Sequence, residues 1–172
     1  MTHFLLLLTM FFLFVIEGTI VQVFSPDRWG IQILMIPRFV VVLLIFSALF
    51  LGRIQGLFIG LFFGLIYDVV YGGVIGIYAF SMALVGYFSG LTFKVFQQSL
   101  IIIISTVLVS LVLHEFLVYG LLTLIGFVSV ELDFFFFNKV IPTLVLNFIF
   151  ALLVSYPVRM ILLQMKEEEE NT

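Results

Sequence analysis

Of the 172 residues, 64% are hydrophobic and 10% charged, whereas a water-soluble domain carries about a quarter charged residues. So short a chain has too little interior to hide that much Phe, Leu, Ile and Val, which excludes a soluble globular protein and makes the bilayer its solvent. The net charge of −3 and the absence of cysteine exclude a basic nucleic-acid surface, a disulfide framework, thiolate metal ligation and a cysteine nucleophile.

A spanning helix needs about 20 predominantly apolar residues. Interruptions divide the chain into six such segments, at 4–24, 32–51, 54–70, 74–93, 99–125 and 138–163. The expected fold is all-α: an integral membrane bundle of about six transmembrane helices in one polytopic domain, 1–172, with a short acidic tail at 166–172. The first segment lacks a basic n-region and a small-residue cleavage site, and its apolar run is too long for a signal peptide, so it reads as a retained helix. His3 sits at its very start and Glu17 near its far end.

The loop "SPDRWGI" closes the first hairpin, and the second span opens with Pro37 and Arg38. An antiparallel arrangement brings Glu17 and Arg38 to the same side, where an ion pair makes both tolerable in lipid. The alternative is that each snorkels separately to the interface.

In the third span Gly52, Gly56, Gly60 and Gly64 recur every four residues, and Asp68, Gly72 and Gly76 continue the count. Steps of four drift by about 40° each, so these positions form a shallow diagonal groove that admits a neighbouring backbone. Gly86 and Gly90 repeat the motif in the fourth span, which predicts a tight hairpin or a docking face for a partner helix or a second copy. Asp68 falls near the end of its span beside a Gly72–Gly73 turn. It reads as a polar anchor capping that turn and the helix after it, with a ligand or partner contact as the alternative.

The fifth span carries His114 and Glu115 at depth. "HEFLV" begins like a zinc-protease motif, but Val118 stands where the second histidine is required. No base is fixed beside Ser105 or Ser110. No metal, cofactor or catalytic residue is expected; a proton relay, or a polar network of His114, Glu115 and Asn147 of the sixth span, fits better. The connection before that span, "GFVSVELDFFFFNK" (126–139), places Phe134 to Phe137 among Glu131, Asp133 and Lys139. It reads either as an interfacial piece with its charges in water or as the start of the sixth span. Pro142 and Pro157 are expected to bend or interrupt that span. Glu167, Glu168, Glu169 and Glu170 mark a solvated end.

Basic residues favour cytoplasmic termini: Arg53, Lys94, Arg159 and Lys166 fall inside, against Arg28, Lys139 and Arg38 outside.

From Pro37 to Gly90 the chain resembles the bacterial rod shape-determining MreD family. It shares a Pro opening the second span, a G-x-x-x-G-x-x-x-G-L-x-x-D core in the third and a G-x-Y-A start with a later G-Y in the fourth. Pro37, Gly60, Gly64, Leu65, Asp68, Gly76, Tyr78, Ala79, Gly86 and Tyr87 supply these positions. The resemblance implies a non-enzymatic scaffold subunit of the cell-elongation complex in the cytoplasmic membrane. Its partners would be the bitopic MreC and, through it, the actin-like MreB, the glycosyltransferase RodA and a class B penicillin-binding protein. It also implies a fold similar to the substrate-binding subunits of energy-coupling-factor transporters. The competing reading is a small-molecule-binding subunit of a vitamin-type transporter, with Glu17, Arg38, Asp68 or His114 as contacts.

Overall fold

The computed structural model of the chain describes residues 2–24, 33–91 and 99–170, with side chains at 4–20, 33–91 and 99–164. Arg28 and Lys94, and the side chains of His3, Lys166 and Glu167 to Glu170, lie outside the described residues. The helices are α1 (Thr2–Phe24), α2 (Phe39–Leu51), α3 (Arg53–Val70), α4 (Ile77–Ser89), α5 (Leu100–Leu124), the short α6 (Leu132–Phe135) and α7 (Ile141–Glu170). A π-helical turn at Phe136–Val140 joins α6 and α7 into one rod, so six rods correspond to the six apolar segments. Among the described residues there is no strand.

α2 is apolar on every side, and a helix of that kind belongs at the centre of a bundle. Every residue from Val40 to Phe50 is buried, and α1, α3, α4, α5 and α7 all pack on it. The outward faces of those surrounding helices remain apolar: Phe12 is 65% exposed, Ile101 79% and Leu153 73%. Such a surface suits lipid and would aggregate in water.

Three rods are long and apolar enough to cross a bilayer, at Arg53–Val70, Leu100–Leu124 and Leu132–Gln164. α2 has 13 residues, about 20 Å at 1.5 Å per residue, which is short of a hydrocarbon core of about 30 Å. Residues 33–38 before it are not helical, although the sequence predicts a helix from 32. Pro37 is the reason: its ring disfavours helical backbone at Ile36, and it has no N–H to contribute to a helix running through it. The helix starts only after Arg38, whose φ of −127° and ψ of 44° are outside the helical region.

Non-helical backbone within a membrane persists only where protein satisfies its polar groups. α7 does this for residues 34–38. Pro142 lacks the N–H that would bond back to Asn138, and the freed Asn138 carbonyl accepts the Leu34 N–H at 2.7 Å. Ile36 N–H donates to Thr143 Oγ1 at 3.2 Å, and Thr143 Oγ1 donates to the Leu34 carbonyl at 3.3 Å. Asn147 finishes the ladder, accepting the Arg38 N–H at 2.7 Å and donating to the Ile36 carbonyl at 3.0 Å.

The expectation that Pro157 interrupts the span is corrected. α7 continues as helix through Pro157 to Glu170, and a π turn at Phe136–Val140 stands directly ahead of Pro142. Phe134 to Phe137 are helical turns leading into α7. Phe135 is buried and stacks on Tyr119 at 4.1 Å, while Phe134, Phe136 and Phe137 are exposed.

α2 and α3 are joined by Gly52 alone, with φ at +107°. That left-handed backbone lets the chain reverse in one residue, which an L side chain would strain. α3 then runs antiparallel against α4, the most extensive helix pair in the bundle.

Candidate functional site

Two groups of residues stand out from the apolar background, a glycine seam between α3 and α4 and a buried ion network at the end of the bundle where residues 33–38 enter. In the seam, a methyl on Gly56 would lie 2.6 Å from the Gly86 carbonyl oxygen, and one on Gly64 would lie 2.6 Å from that of Tyr78. A methyl on Gly60 would overlap the Met82 backbone, and one on Gly90 the Arg53 backbone. The groove that the four-residue spacing predicts is therefore filled by α4 of the same chain. Between membrane helices such close approach supplies the dispersion contacts that replace a hydrophobic driving force.

The seam ends at Asp68, which is 1% exposed. Its Oδ2 accepts the N–H groups of Gly76 and Ala79 at 2.9 and 3.0 Å, and its Oδ1 accepts that of Tyr78 at 2.9 Å. Those are the unpaired donors at the start of α4, whose own flanking residue, Gly76, has no side chain to cap them. The carboxylate supplies the cap from the neighbouring helix, and the positive end of the α4 dipole favours its charge.

Arg38 does not pair with Glu17 as expected. Its Nε donates to Glu115 Oε1 at 2.7 Å, and the other oxygen of Glu115 lies 3.0 Å from Lys139 Nζ. One carboxylate from the middle of α5 thus bridges two cations, one before α2 and one before α7. The expectation that Lys139 reaches water is corrected as well: its side chain is only 20% exposed and turns inward. Glu17 accepts the Val40 N–H at 2.9 Å and the hydroxyl of Tyr67, which caps the first turn of α2 and ties α1 to α3. Arg38 also lies 5.4 Å over the ring of Tyr78, a cation–π contact.

Of the predicted His114, Glu115 and Asn147 network, Glu115 and Asn147 meet through Arg38, whose side chain and backbone they bind respectively. His114 points about a third of a turn away and contacts Ser81 of α4 through Nδ1 at 3.2 Å. One turn earlier on α5, Ser110 faces Ser89 of α4 at 2.9 Å. Lys139, Thr143, Tyr67, Ser81 and Ser89 are members of these networks that sequence reasoning missed. A signal existed for two of them, because Lys139, Thr143 and Asn147 are four apart and share one face of an otherwise apolar helix.

A pocket of about 140 Å³ opens beside the network, lined by Glu17, Arg38, Tyr67, Tyr71 and Tyr78 among others. Among the described residues no cluster of three or more His, Asp or Glu side chains could hold a metal ion.

Fold and site together define a polytopic membrane bundle in which Glu17, Arg38, Asp68, Glu115 and Asn147 hold its own helices and the non-helical segment 33–38. The family model of the rod shape-determining protein MreD matches residues 2–166. The rod shape-determining protein MreD of Bacillus subtilis (strain 168) is 31% identical over 132 residues, covering 77% of this chain and 77% of its own length. The chain belongs to the MreD family. No solved structure matches it.

Proposed function

We propose that this chain is a non-enzymatic scaffold subunit of the bacterial cell-elongation complex. In this reading it controls rod shape by coupling MreC to MreB, RodA and a class B penicillin-binding protein. The observation that carries the reading is the family match over 2–166. The internal bonding supports it: Asp68, Glu17, Arg38, Glu115 and Asn147 each bind groups of this same chain, which suits a rigid platform. The protein sits in the cytoplasmic membrane with both termini in the cytoplasm, the orientation favoured by Arg53 and Arg159. The glycine seam serves the α3–α4 hairpin, and partner helices dock on the outward faces.

The test is an affinity purification of tagged protein in mild detergent with mass-spectrometric identification of what accompanies it. Recovery of a bitopic membrane protein with cell-wall synthases supports the scaffold. Recovery of an ATPase module instead would overturn it.

The transporter reading is favoured by one observation, the pocket beside Glu17 and Arg38. At about 140 Å³ it falls below the ~300–1,000 Å³ usual for drug-sized ligands. A vitamin-like molecule retained by purified protein, and released by Arg38→Ala, would establish it.

A further inference from the structure

A second cavity lies at the Lys139 end of the ion network, bounded by the 33–38 segment, the last turns of α5 and α6. It measures about 270 Å³ and its walls include Val118, Tyr119, Leu122, Phe134 and Phe135, with Lys139 as its one charged residue. We propose that it binds a single tail of an anionic phospholipid, with the Lys139 ammonium as the contact for the headgroup phosphate.

The walls determine the tail. An apolar cavity does not fill with water, and a bilayer offers hydrocarbon in its place. Taking a methylene as similar in size to the ~30 Å³ share of one water molecule, the space holds a run of roughly nine. The wall is also held in shape without an occupant: Phe135 stacks on Tyr119 at 4.1 Å, and the Tyr119 hydroxyl donates to the Val130 carbonyl at 2.7 Å. The open groove between α3 and α4, lined by Leu57, Phe80, Ala83 and Tyr87, has no charged residue in its wall, and the nearby Arg53 guanidinium lies over the Tyr87 ring, so bulk lipid suits it.

Lys139 determines the headgroup. An ammonium has three donors, and Glu115 is the acceptor found for it among the described residues. Glu115 is already shared with Arg38, so its one negative charge stands between two positive ones. A phosphate oxygen on the cavity side of Lys139 would complete that balance. The position is appropriate, because the cavity is bounded where α5 ends and α6 begins, between two helices long and apolar enough to cross a bilayer.

This inference does not depend on the partners proposed above, and its test does not involve them. Full-length protein in mild detergent is incubated with dioleoyl phosphatidylglycerol and examined by native mass spectrometry. One phosphatidylglycerol per chain should survive collisional activation that strips detergent, with at least ten-fold less retention of dioleoylglycerol, which has the tails without the phosphate. Val118→Phe with Leu122→Phe, which fills the space, should lower retention ten-fold, and Ala83→Phe in the open groove should leave it unchanged. Equal retention by the filled protein, or of dioleoylglycerol, overturns the proposal. Should the filled protein not fold, wild-type protein is photolysed with a diazirine-tailed phosphatidylglycerol. Labels confined to 116–122 and 128–135 support the site, and labels spread over α1 and α3 overturn it.

Discussion

The glycine seam and the ion network are both buried and both join helices, but they are built on opposite principles. The seam works by having nothing to place: at Gly56, Gly60 and Gly64 the absence of a side chain lets α3 touch the α4 backbone, and helical backbone groups are paired within their own helix. The network works by placing charges in a medium that penalises them, so each must meet its counterpart. Seam contacts are many and individually weak. Network contacts are few, and loss of one leaves its partner exposed to the full desolvation cost.

The sharpest break of that comparison is Glu115→Leu. It strands Arg38 and Lys139 together, and losing one member of a buried ion pair costs about 3–5 kcal/mol. Little monodisperse protein should survive size-exclusion chromatography in mild detergent. The triple variant Arg38→Met, Glu115→Leu, Lys139→Met should recover much of the loss, because an apolar replacement of a whole buried network is often neutral. Failure of the triple variant to recover would assign the charges a role beyond holding the helices.

Gly60→Leu tests the other side. Its side chain would meet the Met82 backbone rather than a flexible chain end, so a loss of about 3 kcal/mol, the upper end for overpacking, is expected. Thermal unfolding in detergent measures it, and a neutral result would mean that α3 and α4 separate without consequence. Asp68→Asn comes next. It keeps the shape but leaves one oxygen to accept, so at least one of the three hydrogen bonds at the start of α4 is lost and the others lose their charge, each of a kind that contributes roughly 1.5–3 kcal/mol. Amide exchange at Gly76, Tyr78 and Ala79 should accelerate before that of the rest of α4. The smallest effect belongs to Ser89→Ala, which removes the contact to Ser110 and should cost about 0.6 kcal/mol, the average for interhelical hydrogen bonds in membranes.

How legible each region was follows from the same difference. Spacing of four along α3 is a local property, so the seam and its end at Asp68 could be read directly, down to the turn that Asp68 caps. The network joins residues 77 apart, Arg38 and Glu115, and 109 apart, Arg38 and Asn147. No local pattern specifies which carboxylate an arginine will reach. Glu17 was the nearer candidate in a hairpin, yet its oxygens are taken by Val40 N–H and Tyr67, needs that become visible only once α2 starts late. Lys139 looked solvated because it follows charged residues in a loop, yet it lies on the face of Thr143 and Asn147 and meets Glu115.

By itself the sequence determined what the bilayer demands locally: apolar helical segments, succession through short loops, small residues where helices must touch, and a capping carboxylate within eleven residues of the donors it serves. The tertiary structure alone decided how the interrupted backbone at 33–38 is satisfied and which charges meet. Those depend on the rotation and depth of α5 and α7 relative to α2. In a medium without water to accept a misplaced donor or charge, that relative placement is set by closing all the polar contacts at once.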